Sequence, residues 1–265
     1  MCIVPGVIMV YFVGAGSGAV DLITVRGQRL LQEADVIIYA GSLVNPQLLT
    51  LKKEKCRVYN SAKMTLEEVL DVMEDAEISQ QMTVRLHTGD PCLYGAIKEQ
   101  MDALTQKNIS YQVCPGVSSF CGAAAALQVE YTLPNVSQSV VITRMAGRTP
   151  VPEKEEIVKW AEHQATMVIF LSTGLLKELE EQLIRGGYRE ETPAAIVYKA
   201  TWPEEKVFYC TVSTLAKTAE KNQITKTALI VVGDVLNCDY NRSELYNPAF
   251  STEYRKGNRE GCQKE

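Results

Sequence analysis

The stretch Val10-Tyr-Phe-Val-Gly-Ala-Gly-Ser-Gly-Ala-Val-Asp-Leu-Ile-Thr24 limits the possible folds more than any other part of the chain. Its apolar run 8–13 predicts a buried strand, and glycines alternate at 14, 16 and 18. Asp21 or Thr24 can then cap a helix running through Arg26, Leu30 and Leu31. Strand, glycine turn and helix in that order open a parallel α/β domain. The glycines permit a tight turn with positive φ and a close approach by a ligand. As a dinucleotide fingerprint the loop is weak, because its glycines fall at i, i+2 and i+4 rather than in G-x-G-x-x-G. The acidic residue that fingerprint needs is also misplaced: Asp35 begins the second strand, and Ala40-Gly41 follow its end. Taken alone, the loop leaves nicotinamide or flavin binding and a ligand-free turn both open.

The alternation continues along the chain. Residues 34–39, 56–59, 82–87 and 109–114 predict strands. A helix runs through Leu66, Val69, Leu70 and Met73, with Thr65 and Glu68 at capping-box spacing. A second runs through Ile97, Met101 and Leu104, and a small-residue helix spans 120–127. Two of the strands end in Thr88-Gly-Asp-Pro-Cys-Leu-Tyr-Gly95 and Pro115-Gly-Val-Ser-Ser119. Open parallel sheets bind ligands at the carboxyl ends of their strands, so the loops 14–18, 88–91 and 115–119 are expected to converge on one site. Asp90 reads either as a helix N-cap or as a carboxylate that receives a ligand hydroxyl or amine. Ser118 and Ser119 offer hydroxyls beside the free N–H groups of a helix start.

In the second half, strands are predicted at 139–143, 166–171, 194–198, 206–210 and 227–232, with a hairpin-length connection over 200–211. Helices are predicted around 157–161 and 175–184, the latter stopped by Gly186-Gly187. The fold class is α/β, with an N-terminal parallel sheet and a second α/β domain built on a mixed sheet. The boundary falls within 115–135, drawn as 1–118 and 119–240, followed by a surface tail over 241–265.

The totals exclude several classes. A net charge of −5 over 265 residues, without a basic stripe interleaved with aromatics, argues against nucleic acid as a partner. No apolar run reaches the roughly 20 residues that span a bilayer, so no membrane association is expected. The start, 1–6, lacks a basic region, so no signal peptide is expected and the location is read as cytoplasmic. Eight cysteines without a CxxC pair, beside only His87 and His163, give no metal-ligand spacing. They read as reduced, mostly buried and inert.

The segments VGAGSGAVDLITVRGQRLLQEADVIIYAGSLV, HTGDPCLYGA, PGVSS, ATWPEEKV and TALIVVGDV occur in this order between Val10 and Val235. On these motifs the chain resembles the tetrapyrrole (corrin/porphyrin) methylase family. YAGSLVNP (39–46), TRMAGRTPVPE (143–153) and RSELYNPAFSTEYR (242–255) are most similar to the branch acting at C11 of precorrin-4 or cobalt-precorrin-4. Ala40-Gly41 stand where uroporphyrinogen methylases typically carry an aspartate.

The resemblance implies two α/β domains with the active site in the cleft between them, and S-adenosylmethionine as cofactor. It assigns the cofactor contacts Thr88, Gly89, Asp90, Leu93, Ser118 and Ser119, with Leu171, Ala200 and Ala228 from the second domain. The macrocycle would lie against Gly14, Gly16, Ser17 and Asp21, and Arg144 and Arg148 would pair with its carboxylates. The implied SN2 transfer from a sulfonium needs alignment, which supplies about 7–11 kcal/mol in well-oriented systems. It needs no metal, covalent nucleophile or catalytic side chain, and any cobalt belongs to the substrate. His87 reads as a structural histidine hydrogen-bonded beneath the loop, or else as a base. A homodimer is implied as well. The metal-free reaction, another methylation on the same scaffold and a non-catalytic tetrapyrrole carrier stay open. The first loop departs from the family's usual Gly-Pro-Gly-Asp: Ser17 restores an N–H that proline lacks, and Ala19 removes a carboxylate.

Overall fold

The computed structural model describes residues 9–258; the opening extension 1–6, Ile8, Cys2 and Cys262 lie outside them. The chain divides into two units. The first runs to Ala126 and takes in Tyr198–Lys206; the second comprises Leu127–Val197 and the residues from Val207 on. The division thus falls inside a helix rather than after residue 118, and a segment from late in the chain returns to the first unit.

The first unit contains β1 (Val10–Gly14), α1 (Val25–Glu33), β2 (Val36–Tyr39), β3 (Arg57–Asn60), α2 (Leu66–Ile78), β4 (Thr83–His87), α3 (Lys98–Gln106), β5 (Tyr111–Cys114) and most of α4 (Ser119–Leu127). The strand order is β3-β2-β4-β1-β5 and every pair is parallel. β1 and β4 run in register from Val10↔Thr83 to Gly14↔His87, so the loops that follow them start side by side. Thr24, not Asp21, caps α1, accepting a hydrogen bond from Gly27 N at 3.0 Å. The predicted capping box of α2 is present, with Glu68 accepting from Thr65 N and Thr65 Oγ1 from Glu68 N.

Both faces of this sheet are covered. Tyr11 and Val13 pack with Leu30, Leu31 and Leu48 on one side, and Val10 and Phe12 with Met73 and Leu104 on the other. Burial on two faces explains why these strands read as continuous apolar runs rather than alternating ones. β4 breaks that pattern: Thr83, Arg85 and His87 alternate along it, and all three are buried.

The second unit contains β6 (Val140–Arg144), α5 (Ile157–Ala161), β7 (Thr166–Phe170), α6 (Leu176–Arg185), β8 (Pro193–Tyr198), β9 (Lys206–Thr211), α7 (Leu215–Lys221) and β10 (Ala228–Val232), less the strand residues Tyr198 and Lys206. Its order is β6-β7-β10-β8-β9, with β6 and β7 parallel but β7 and β10 antiparallel, so the sheet is mixed. α6 ends at Gly186, as its sequence predicts. In the tail, the Arg255 guanidinium donates to the carbonyls of Leu245 (2.9 Å) and Asn247 (2.8 Å), while Leu245, Tyr246 and Tyr254 are exposed. Among the described residues, no helix is long and apolar enough to cross a membrane.

The cysteines differ from expectation. Cys56 and Cys114 are buried, but Cys92 and Cys121 are exposed and Cys210 and Cys238 half-buried. The two exposed thiols sit in or beside the loops at the strand ends, which the sheet does not cover. Desolvation and nearby Asp90 still raise the Cys92 and Cys121 pKa values, and burial pushes Cys210 up to about 11, so the reactive thiolate is disfavoured.

Candidate active site

The loops after the adjacent strands β4, β1 and β5 meet backbone against backbone. A Cβ on Gly14 would come within 2.5 Å of Gly116 Cα and 2.6 Å of Gly89 O, and one on Gly116 within 2.2 Å of Gly89 O. Only glycine allows such an approach. Gly16 and Gly89 exchange backbone hydrogen bonds of 3.3 and 2.9 Å, and Ala15 N donates to His87 O at 2.7 Å. The expected convergence of 14–18, 88–91 and 115–119 is therefore observed.

Asp90 is the side chain that joins two of these loops. Its Oδ1 accepts from Cys92 N (2.8 Å) and its Oδ2 from Gly116 N (2.9 Å). It is not a helix cap, because α3 begins at Lys98 with Ile97 as its cap residue. The short Asp side chain instead folds onto the backbone two residues ahead, as in an Asx turn. Thr88 Oγ1 donates to Leu43 O at 2.7 Å, and Leu93 N to Asp90 O at 3.3 Å. Beyond them Tyr94 (φ 56°) and Ala96 (φ 49°) are left-handed, each costing about 1–2 kcal/mol for a residue with a Cβ.

Gly89 faces the start of α4. A Cβ there would stand 3.4 Å from Ser119 N and 3.5 Å from both Ser118 Cα and Ser119 Oγ. The space beside Gly89 is thus bordered by an amide and a hydroxyl at a helix N-terminus, a donor set suited to carboxylate or ribose oxygens. Ser118 is buried and Ser119 half-buried.

The glycine loop itself is covered. Ser17 Oγ lies 3.0 Å from Thr201 Oγ1, which also accepts from Ala19 N at 3.1 Å. Trp202 stacks so closely on Gly18 that a Cβ there would meet its Cδ1 at 2.1 Å. Asn45 Nδ2 donates to Gly18 O at 2.8 Å. Beside this loop opens a cavity of about 550 Å³, lined by residues that include Val20, Ile23, Asn45, Leu51 and Trp202, with Asp21 its one charged wall residue among those described. Of the residues expected to face a macrocycle here, Gly14, Gly16 and Ser17 are buried in loop contacts and Asp21 is exposed. Ala200, expected from the second domain, is buried in the segment Tyr198–Lys206 of the first unit, because Thr201 and Trp202 fold onto the glycine loop.

In the second unit, Arg144, Leu171 and Ala228 gather at one end of the sheet. Arg144 pairs in register with Phe170, Met145 N donates to Ser172 Oγ (2.9 Å), and Thr173 Oγ1 donates to Ala228 O (3.2 Å). Leu171 is left-handed (φ 54°) and exposed, whereas Ala228 is buried. The Arg144 guanidinium donates to the carbonyls of Met145 (3.0 Å), Thr149 (3.1 Å) and Pro150 (2.8 Å), so it organises its own loop. Arg148 is exposed within that loop.

His87 lies beneath the loops at 3% exposure, but its Nε2 has no hydrogen-bond partner among the described residues, contrary to expectation. Its ring centroid lies 6.1 Å from that of Phe12. Desolvation, reinforced by Arg85, lowers its pKa to about 3, which leaves it neutral and unsuited to act as a base near pH 7. Among the described residues, no group of three or more His, Cys, Asp or Glu is placed to hold a metal ion. The sequence reading missed Leu43, Asn45, Thr201 and Trp202. Only Asn45-Pro46 carried a local signal, that of a capped 3-10 turn.

A parallel α/β unit whose glycine-bearing strand-end loops interlock, together with a second unit built on a mixed sheet, defines a two-unit α/β protein. The family model for Tetrapyrrole (Corrin/Porphyrin) Methylases matches residues 9–216, and the chain belongs to that family. It is 53% identical over 251 residues to the cobalt-precorrin-4 C(11)-methyltransferase of Methanocaldococcus jannaschii, covering 94% of this chain and 97% of that protein. It is 42% identical over 247 residues to the precorrin-4 C(11)-methyltransferase of Mycobacterium tuberculosis, covering 92% and 98%. Among solved structures it is similar to the cobalt precorrin-4 methyltransferase CbiF, with a TM-score of 0.85, 45% identity, and coverage of 87% of this chain and 96% of that one.

Proposed function

We infer that this chain methylates C11 of cobalt-precorrin-4, giving cobalt-precorrin-5A in cobalamin biosynthesis. The observation that carries this is the 53% identity to a cobalt-precorrin-4 C(11)-methyltransferase across 94% of the chain. The methyl donor is S-adenosylmethionine, as the family resemblance implies. Bound there, it would supply an electrophilic methyl group on a sulfonium sulfur, with S-adenosylhomocysteine as the leaving group. Ser118 and Ser119 would hold it through backbone and hydroxyl donors, Gly89 would let it approach closely, Leu93 would pack against it, and Asp90 keeps the loops in place. Asp21 helps position the macrocycle, its charge turning the substrate's carboxylates away from that wall. The chain's own contribution to rate is alignment and exclusion of water. The protein works in the cytoplasm as a homodimer.

The test incubates the protein with isotopically methyl-labelled S-adenosylmethionine and either cobalt-precorrin-4 or precorrin-4, followed by NMR. Label at C11, formed faster on the cobalt substrate, is the expected result. Label at another carbon would overturn the assignment. A chain that transfers no methyl and shows no calorimetric binding of S-adenosylhomocysteine would be a carrier instead.

A further inference from the structure

We propose that Arg85 and Gln100 are positioning residues for the loop 88–97, setting its C-terminal half through a hydrogen-bonded relay that ends on Ala96. The inference rests on the reading of that loop as the cofactor loop.

Arg85 sits in the middle of β4 at 6% exposure. Its Nε donates to Gln100 Oε1 (3.1 Å) and its Nη1 to Ile38 O (3.2 Å), both neutral acceptors. Desolvation lowers its pKa to about 10. An aliphatic side chain would fill the same space without the penalty of burying a charge. What it could not supply is two donors held in one rigid plane.

Gln100, on α3, is 4% exposed. A guanidinium can only donate, so it dictates which way the Gln100 amide points: oxygen toward Arg85, nitrogen away. The nitrogen then donates to Ala96 O at 2.9 Å. Tyr94 and Ala96 are the two left-handed residues of the loop that carry a Cβ, and such conformations persist only where the surroundings over-determine them. The N-terminal half of the loop is fixed by Gly16–Gly89 pairing and by Asp90 on Gly116 N. The turn after Leu93 is held from below by Gln100. A line of hydrogen bonds therefore runs from the centre of the sheet to the strained turn, and the buried charge orients it.

The decisive variant is Gln100→Glu in the full chain. Its carboxylate still accepts from Arg85, with a stronger charge-assisted bond, but presents no N–H to Ala96 O. We expect it to melt no lower than wild type. Amide exchange in the peptide covering 93–97 should rise about tenfold, with β1 and α2 unchanged, and S-adenosylhomocysteine should bind about tenfold more weakly by calorimetry. Arg85→Met should loosen the same peptide; where it fails to fold, Gln100→Glu decides. Unchanged exchange over 93–97, a uniform rise across the first unit, or unchanged S-adenosylhomocysteine affinity in folded Gln100→Glu overturns the proposal. Absence of S-adenosylhomocysteine binding in the wild-type chain overturns instead the cofactor reading on which it rests.

Discussion

Among the described residues a proton on the His87 ring would have no counter-charge, with the Arg85 cation nearby and Nε2 without a partner. The unfolded chain binds that proton below pH 6.5, whereas the folded chain binds it only below about pH 3. Stability attributable to this group is therefore full above pH 6.5 and declines as pH falls through that window, by at most about 1.4 kcal/mol per pH unit. His87→Leu removes both the titration and the orphaned nitrogen, so we expect near-wild-type stability at pH 7 and a shallower loss toward pH 4. Urea unfolding of the two proteins from pH 7 to pH 4 checks this, and parallel curves would refute it. Neither the histidine nor Asp90 disclosed its role through residue type. Asp90 looked like a cap or a ligand-facing carboxylate, yet its oxygens hold Cys92 N and Gly116 N, the latter 26 residues away.

At the scale of elements, local signals served well. Thr65 and Glu68 lie three residues apart and form the capping box their spacing predicts, because both partners sit within one turn. The strand-end loops were legible as a set, since β4, β1 and β5 are adjacent and parallel and so deliver their loops to one edge. What could not be read was how tightly they interlock. Gly116 has no space for a methyl group, with Gly89 O at 2.2 Å and Gly14 Cα at 2.7 Å from the Cβ position. Both obstacles are backbone, which cannot rotate away. We expect Gly116→Ala to cost about 1–3 kcal/mol in unfolding free energy and to weaken S-adenosylhomocysteine binding. Denaturant midpoints and calorimetry measure the two effects; a wild-type midpoint would show that the loops are free to separate.

Across the whole molecule, the least foreseeable feature is the return of Tyr198–Lys206 to the first unit. Thr201 reaches Ser17 across 184 residues of sequence, and Trp202 lies on Gly18. Ser17 and Ala19, the two departures from the family's usual loop, are both used here: the Ser17 hydroxyl meets Thr201, and Ala19 N donates to it. Removing the indole in Trp202→Ala uncovers Gly18 and leaves a cavity at a half-buried site, so we expect a loss of about 2 kcal/mol, read as a lower melting temperature. Unaltered melting would mean that the segment merely rests on the loop.

The sequence by itself determined the strands, the helices, their alternation and the glycine loops, and its motifs pointed to the tetrapyrrole methylases. Periodicity, capping and turn chemistry act over a few residues, so their record is local. Only the tertiary structure decided that Asp90 ties loops together, that Arg85 orients Gln100, that His87 is a buried neutral ring and that Thr201 and Trp202 cover the glycine loop. Each of those roles depends on burial or on a partner distant in the chain, and desolvation and packing leave no mark on the order of residues.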